Sequence, residues 1–198
     1  MYVTNCGSDQ ECQRSATAFE KARLANLESK DASISTTAAA YGSPGENNGV
    51  TVVFGAVEPG AAANVAASID WNESAGFSLT ATVTIDPNLA GGELRAAVGH
   101  EGQHVLDAQA FARTFTADGS YDVSKNLTVR QTETNAYGIT QRILVFENAN
   151  ARFAGGTGSV QLGKGLPQAK VDRAVKEIIA GPLYAGKLDT RQFPNYAP

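Results

Sequence analysis

The sequence predicts an α+β fold in which a small mixed or antiparallel sheet packs against two long helices. Residues 76–85 alternate apolar side chains with serine and threonine, a pattern typical of a strand with one buried face. Residues 92–113 and 127–148 carry apolar side chains three and four positions apart, which predicts two long helices. One helix and two further strands precede these elements and one helix follows them, and this order indicates an α+β protein.

The remaining elements follow from local patterns. An apolar face predicts a first helix at 9–30, and the small polar residues of 31–49 predict a loop. A β-branched run predicts a strand at 50–57, and a weaker strand is expected at 64–71. The rest of the chain is expected to form a connecting loop, a glycine-rich linker, a last helix and an irregular tail, at 114–125, 154–165, 167–180 and 183–198.

Composition excludes several classes of function. A chain of 198 residues that is 42% hydrophobic fits one globular domain. The net charge of -4, without a basic cluster, argues against a nucleic-acid partner. The sequence contains no run of 18 apolar residues, so no membrane span is expected.

The N-terminal region carries both cysteines. Cys6 and Cys12 lie six positions apart, which is not the spacing of a Cys-x-x-Cys metal site. They are expected to be two free thiols, or one local disulfide in an oxidising compartment. Residues 1–7 lack the basic and apolar regions of a signal peptide. We therefore expect a cytoplasmic protein, a part of a longer chain, or export by another route.

The two histidines of the chain, His100 and His104, stand in the run His-Glu-Gly-Gln-His on the first long helix. Histidines four positions apart lie one turn apart on the same helix face, so both rings can reach one ion. Glu101 lies beside that pair and can reach a metal-activated water without being a ligand. This is the His-Glu-x-x-His pattern of metal-assisted hydrolysis.

A catalytic zinc site needs a third protein ligand, and the sequence has no third histidine. The cysteines lie far upstream, so a carboxylate is expected. The best candidate is Glu133, 29 residues after His104 on the second long helix, because a returning helix would bring it beside the histidines. Small Ala136 would allow the two helices to pack closely. Asp118 and Asp122 in the connecting loop are alternatives.

These motifs resemble the zincin metallopeptidases whose third ligand is a glutamate, the gluzincins. In that family the glutamate often stands in a Glu-x-x-Ala setting on a later helix, and the matching residues here are His100, Glu101, His104, Glu133 and Ala136. The resemblance covers residues 76–148 and implies a zincin-like fold, a Zn²⁺ cofactor and a peptide or protein substrate. It also implies that the strand at 76–85 is an edge strand that pairs with an extended substrate. The Asn-Glu-x-x-Ser-Asp form of the glutamate motif is absent.

The N-terminus carries a second resemblance. The run Tyr-Val-Thr-Asn-Cys, followed by a second cysteine and Ala-Phe-Glu-Lys-Ala-Arg, is similar to the segment that begins the C-terminal toxin domains of bacterial Rhs-type polymorphic toxins. This resemblance implies a bacterial effector that is delivered within a larger secreted chain. Its expected partner is an immunity protein that inhibits it.

Two further residues are candidates for supporting roles. Asp107 shares the helix face of the histidines and could accept the Nδ1–H of one of them, which would fix its tautomer. Tyr137 lies one turn beyond Glu133 and could donate a hydrogen bond to the oxyanion of a tetrahedral intermediate.

The sequence therefore predicts a zinc-dependent metallohydrolase, foremost a peptidase. Its ligands would be His100, His104 and Glu133, and Glu101 would be the general base. The predicted parts of this single domain are an N-terminal helix and loop, a catalytic core, and a C-terminal linker, helix and tail, at 1–49, 50–148 and 149–198. Two alternatives stay open, a non-catalytic binding module with a structural metal or none, and a zinc amidase that cleaves cell-wall cross-links.

Overall fold

The computed structural model describes residues 6–44, 47–72 and 76–196. In these ranges helices and strands are mixed, which confirms the α+β class. Their bounds are α1 Gln10–Leu27, α2 Ala32–Ala39, β1 Val50–Phe54, β2 Ala63–Asn72, β3 Gly76–Ile85, α3 Gly91–Ala112, α4 Val129–Phe146, β4 Asn150–Ala154, β5 Ser159–Gly163 and α5 Gln168–Ile179.

The larger sheet has three strands with β3 in the middle. β3 pairs antiparallel with the whole of β2, and its second half, Ala81–Ile85, pairs in parallel with β1. The expected alternation is present, since the side chains of Ala81, Val83 and Ile85 are buried. The expectation that 76–85 is the edge strand is wrong, because order along the chain does not fix order across a sheet. The edge strands are β1 and β2.

The expected loop at 31–49 is wrong for its first part, which forms α2. Asp31 begins this helix by accepting a hydrogen bond from the backbone N–H of Ser33. Ile34 and Ala38 of α2 are buried. Serine and threonine have modest helix propensity, so we attribute the helix to its packing against neighbouring elements rather than to local sequence.

The expected glycine-rich linker at 154–165 is also wrong. β4 and β5 pair antiparallel as a hairpin. Leu162 is buried, and the side chain of Gln141 in α4 bonds both the N–H and the carbonyl of Gly163. The strands are short and their turn is rich in glycine, which hides a period of two in the sequence.

The long helix α3 contributes to three buried clusters. Val98 and Val105 pack with the larger sheet and α1, whereas Ala96 packs with α4, α5 and the hairpin. Phe111 joins a third cluster with Phe193 of the C-terminal tail. Because α3 lies between these layers, a motif in the middle of it is held on several sides. No helix of the described ranges is long and apolar enough to cross a membrane.

At its N-terminus, α1 begins at Asp9, whose side chain accepts hydrogen bonds from the backbone N–H groups of Glu11 and Cys12. Cys6 and Cys12 form a disulfide, which is the second of the two expected states. This bond closes a short loop just before and within the first turn of the helix.

Candidate metal centre

α3 and α4 bring the three predicted ligands together. The Nε2 atoms of His100 and His104 lie 3.3 Å apart. Glu133 projects from α4 between them, with Oε2 3.4 Å from Nε2 of His100 and Oε1 3.4 Å from Nε2 of His104. The returning helix that the sequence predicted is therefore present, and it places a carboxylate opposite both rings.

The spacing of these atoms fits a zinc ion. With metal–ligand distances of about 2.0–2.1 Å, two ligand atoms of a tetrahedral site lie about 3.3–3.4 Å apart. Each of the three side chains offers one ligand atom, all within 4.8 Å of one another. Oε2 of Glu133 is buried and has no hydrogen-bond partner, a costly state that a bound cation would relieve. The donor set, two imidazoles and a carboxylate, is one that Zn²⁺ accepts.

Burial controls the protonation of the centre. It raises the pKa of Glu101 to about 7 and lowers that of His104 to about 4. Burial opposes the charge on His100 and Glu133 as well, but each group faces charges of opposite sign, so the pKa of His100 is raised and that of Glu133 is lowered. A neutral His104 beside an ionised Glu133 is what metal binding requires.

Thr140 orients the ring of His100. Its Oγ1 lies 3.1 Å from Nδ1 of His100 and donates a hydrogen bond to the carbonyl of Ala136. Because the hydroxyl proton is engaged there, the oxygen accepts the Nδ1–H, and the lone pair on Nε2 faces the other ligands. Sequence reasoning missed Thr140, although it lies seven positions after Glu133 and so on the same face of α4.

Asp107 does not contact either histidine ring in the described structure. Its carboxylate accepts hydrogen bonds from Nε2 of Gln103 at 2.7 Å and from Nδ2 of Asn135 at 3.2 Å. It therefore links α3 to α4 instead of fixing a ligand tautomer. At His100 the predicted role of Asp107 belongs to Thr140, because a residue on the facing helix meets the Nδ1 side of that ring.

Comparisons of the chain with protein-family models, curated proteins and solved structures found no match.

Within the described ranges, His100, His104 and Glu133 form the one group of histidine, cysteine and acidic side chains that could hold a metal ion. The two alternative ligands lie elsewhere. Asp118 bonds Thr116 and Ser120 in the loop after α3, and Asp122 accepts a hydrogen bond from the N–H of Ser124.

Two tyrosines flank the centre. The ring of Tyr137 packs edge-on against His100, with centroids 4.6 Å apart, and its hydroxyl lies 3.1 Å from that of Tyr184. Tyr184 and Glu133 line the same cleft. Burial raises the pKa of Tyr137 to about 12 and that of Tyr184 further, so both remain neutral donors at pH 7. Tyr184 comes from the tail, where the sequence has no pattern that indicates a site.

The centre lies in a cleft of about 430 Å³ whose one wall is the edge of β2. The N–H of Asp86 donates to the carbonyl of Ala62, so Ala62 and every second residue after it bond towards β3. The backbone groups of the residues between them, Ala63, Val65 and Ala67, therefore point away from β3, towards the open edge. The cleft is therefore bordered by backbone donors and acceptors next to the candidate ligands.

A second cavity of about 350 Å³ adjoins the first on the other side of the centre. The two share His100, Glu101 and Tyr184. The apolar part of the second lining includes Leu89, Ala96, Ala97, Tyr137, Leu144 and Phe153.

Proposed function

We propose that the protein is a zinc-dependent hydrolase of peptide bonds with a zincin-like arrangement of its active-site helix, second ligand helix and edge strand. His100 and His104 of α3 and Glu133 of α4 would hold the metal. The observation that carries the proposal is the convergence of the two Nε2 atoms, 3.3 Å apart, with the Glu133 carboxylate, whose two oxygens each lie 3.4 Å from one of them. That spacing suits ligand atoms of a tetrahedral ion.

The chemistry follows from the groups around the bond. A Zn²⁺ ion at this site supplies Lewis acidity, which polarises a carbonyl and lowers the pKa of water. Glu101 would take the proton of the attacking water and deliver it to the leaving amine, and its carboxylate is buried next to the candidate ligands. The neutral hydroxyls of Tyr137 and Tyr184 are available to stabilise the oxyanion.

β2 would hold the substrate. Its open edge lies beside the ligands, so an extended peptide can add to it as a further strand through backbone hydrogen bonds. In this proposal β2 has the substrate-pairing role that was expected of the strand at 76–85. An amide in a cell-wall cross-link would need the same chemistry, and delivery within a Rhs-type toxin with an immunity partner stays a prediction from the N-terminal sequence.

A non-catalytic module with a structural metal is the other candidate. A structural zinc site is closed by four protein ligands, whereas catalytic sites use three and leave one position open. The group found in the described ranges has three members and opens into a cleft. This count favours the catalytic reading.

Metal content and hydrolysis test the proposal together. We expect about one zinc per chain by mass spectrometry in the wild type, and a sharp loss in Glu133→Ala. Glu101→Gln should keep its zinc but hydrolyse casein and fluorogenic peptides at least about 100-fold more slowly. Asp118→Ala is the matched control, because it removes an exposed carboxylate outside the centre, and it should retain both properties.

Each part of the proposal can fail separately. Zinc retained by Glu133→Ala would remove that residue from the ligand set. Equal hydrolysis by Glu101→Gln and the wild type would refute the general-base role. A zinc-loaded wild type that cleaves no peptide would favour the binding module.

A further inference from the structure

Two cationic side chains, Lys187 and Arg191, line the cleft that contains the candidate ligands. Both belong to the C-terminal tail. Nη1 of Arg191 donates a 2.7 Å hydrogen bond to the carbonyl of Asn126, which holds the guanidinium in place without neutralising it. Lys187 is exposed and free to adjust.

Neither cation forms a salt bridge within the described ranges. Four of the other eight arginines each pair with a carboxylate. The pairs are Arg23–Glu20, Arg95–Glu147, Arg130–Asp189 and Arg142–Asp31. The carboxylates of the same cleft are Glu58, Glu101 and Glu133, and neither cation pairs with them, so both positive charges are available to an anionic group of a ligand.

Outside the candidate centre, Glu58 and Arg191 lie towards opposite ends of β2. Glu58 lies before the start of β2. The tail meets the other end of the strand, where the hydroxyl of Tyr196 donates to the carbonyl of Ile69. Arg191 lies in this part of the tail. An anionic group is therefore favoured on the Ala67 side of the centre rather than on the Ala63 side.

An unsatisfied acceptor lies beside the cations. Gln192 lines the same cleft, and its Nε2 donates to the carbonyl of His104 at 3.4 Å. Its Oε1 is buried and has no hydrogen-bond partner. A ligand that brings a backbone N–H to this point would satisfy it. A peptide with a nearby carboxylate offers an N–H to Gln192 and an anion to the two cations.

We propose that Lys187 and Arg191 bind a carboxylate of the substrate, so that the protein selects peptides with an acidic group on the Ala67 side of the cleaved bond. This inference rests on the proposed function. An ammonium and a guanidinium make short, charge-assisted hydrogen bonds to carboxylates. The carboxylate comes from an Asp or Glu side chain or from the C-terminus of the peptide.

Matched mixtures of fluorogenic peptides, assayed with the zinc-bound protein, test the preference for an acidic group. One position on either side of the bond is fixed as Glu or Gln, and each mixture is made with a free or an amidated C-terminus. We expect kcat/KM to favour Glu by about 10-fold at low salt and less at high salt. A preference that follows the free C-terminus instead would identify the main-chain carboxylate as the anchor.

Variants assign the preference to its residues. Lys187→Met and Arg191→Gln should each reduce the Glu-to-Gln ratio by about threefold or more, and Arg191→Lys should restore part of it. Lys170→Met and Arg173→Gln, which remove exposed cations on α5, should leave the ratio unchanged. Equal cleavage of the Glu and Gln mixtures by the wild type would overturn the inference while leaving the proposed function intact.

Binding provides a readout that does not require turnover. Fluorescence anisotropy with zinc-loaded Glu101→Gln measures the Kd of labelled Glu and Gln peptides. Tighter binding of Glu peptides that is lost in the double variants with Lys187→Met or Arg191→Gln supports the inference even if no peptide is cleaved. Equal Kd values would overturn it.

Discussion

The ring of His100 depends on a hydroxyl that lies forty positions away in the sequence. Thr140→Val keeps the shape of the side chain but removes the acceptor of the Nδ1–H, so the tautomer that presents Nε2 to the metal loses its buried partner. We expect the affinity for zinc to fall about 10- to 100-fold, measured by competition with a chromophoric chelator. Thr134→Val is the control, since it makes the same change on the exposed face of α4. Equal affinities for the two variants would exclude the role of Thr140.

The buried carboxylate of Glu101 lowers the free energy of unfolding of the metal-free protein at neutral pH. Burial raises its pKa from 4.5 to about 7, so the folded state holds a proton that the unfolded state releases. The penalty is absent below pH 4.5, grows up to pH 7 and is complete above it. Metal-free Glu101→Gln should therefore be more stable than the wild type at pH 8, by up to about 3 kcal/mol, and nearly equal at pH 4.5. Urea unfolding at both pH values measures this, and a difference that does not depend on pH would contradict it.

At the scale of elements, Gly102 fixes the approach of α2 to α3. A Cβ there would lie 2.5 Å from the backbone oxygen of Thr37, which cannot move aside as a side-chain end could. We expect Gly102→Ala to destabilise the protein by about 1–3 kcal/mol, although alanine is the better helix former.

Gly138 of α4 provides the matched comparison. A Cβ at this position would meet nothing within 4 Å. Gly138→Ala should therefore show the helix propensity alone and stabilise the protein by up to about 1 kcal/mol. Urea unfolding compares the two variants, and stabilisation by Gly102→Ala would mean that the contact with α2 is not rigid.

The elements that the sequence predicted correctly carry long apolar patterns. The strand at 76–85 and the helices that became α3, α4 and α5 have enough periods for the buried face to be read directly. α2 and the β4–β5 hairpin are short, and packing against distant parts of the chain stabilises them, as the bonds of Gln141 to Gly163 show. Sequence-local patterns do not contain those contacts.

For the whole molecule, metal binding should be visible as stability. A ligand that binds the folded chain alone adds about 2.7 kcal/mol when its free concentration is 100 times Kd. For a chain of this size we expect zinc to raise the Tm by roughly 5–10 °C. Differential scanning calorimetry measures this shift, and Glu133→Ala should abolish it. An equal shift in that variant would place the stabilising ion at another site.

The sequence by itself predicted the residues of the candidate centre. His100, Glu101 and His104 are four positions apart at most, so helix geometry alone places them on adjacent faces. Glu133 was the best sequence candidate for the third ligand, with Asp118 and Asp122 as alternatives, because a helix that returns after the connecting loop would lie beside the histidines. These inferences need only local periodicity and chain connectivity.

Only the tertiary structure decided what surrounds the centre. It made β3 the central strand and placed the edge of β2 beside the centre. It also placed Thr140 instead of Asp107 behind His100, and brought Tyr184 and Arg191 of the tail to the cleft. Strand order and the path of an irregular tail depend on the summed packing of distant side chains, and no periodic signal in the sequence encodes that sum.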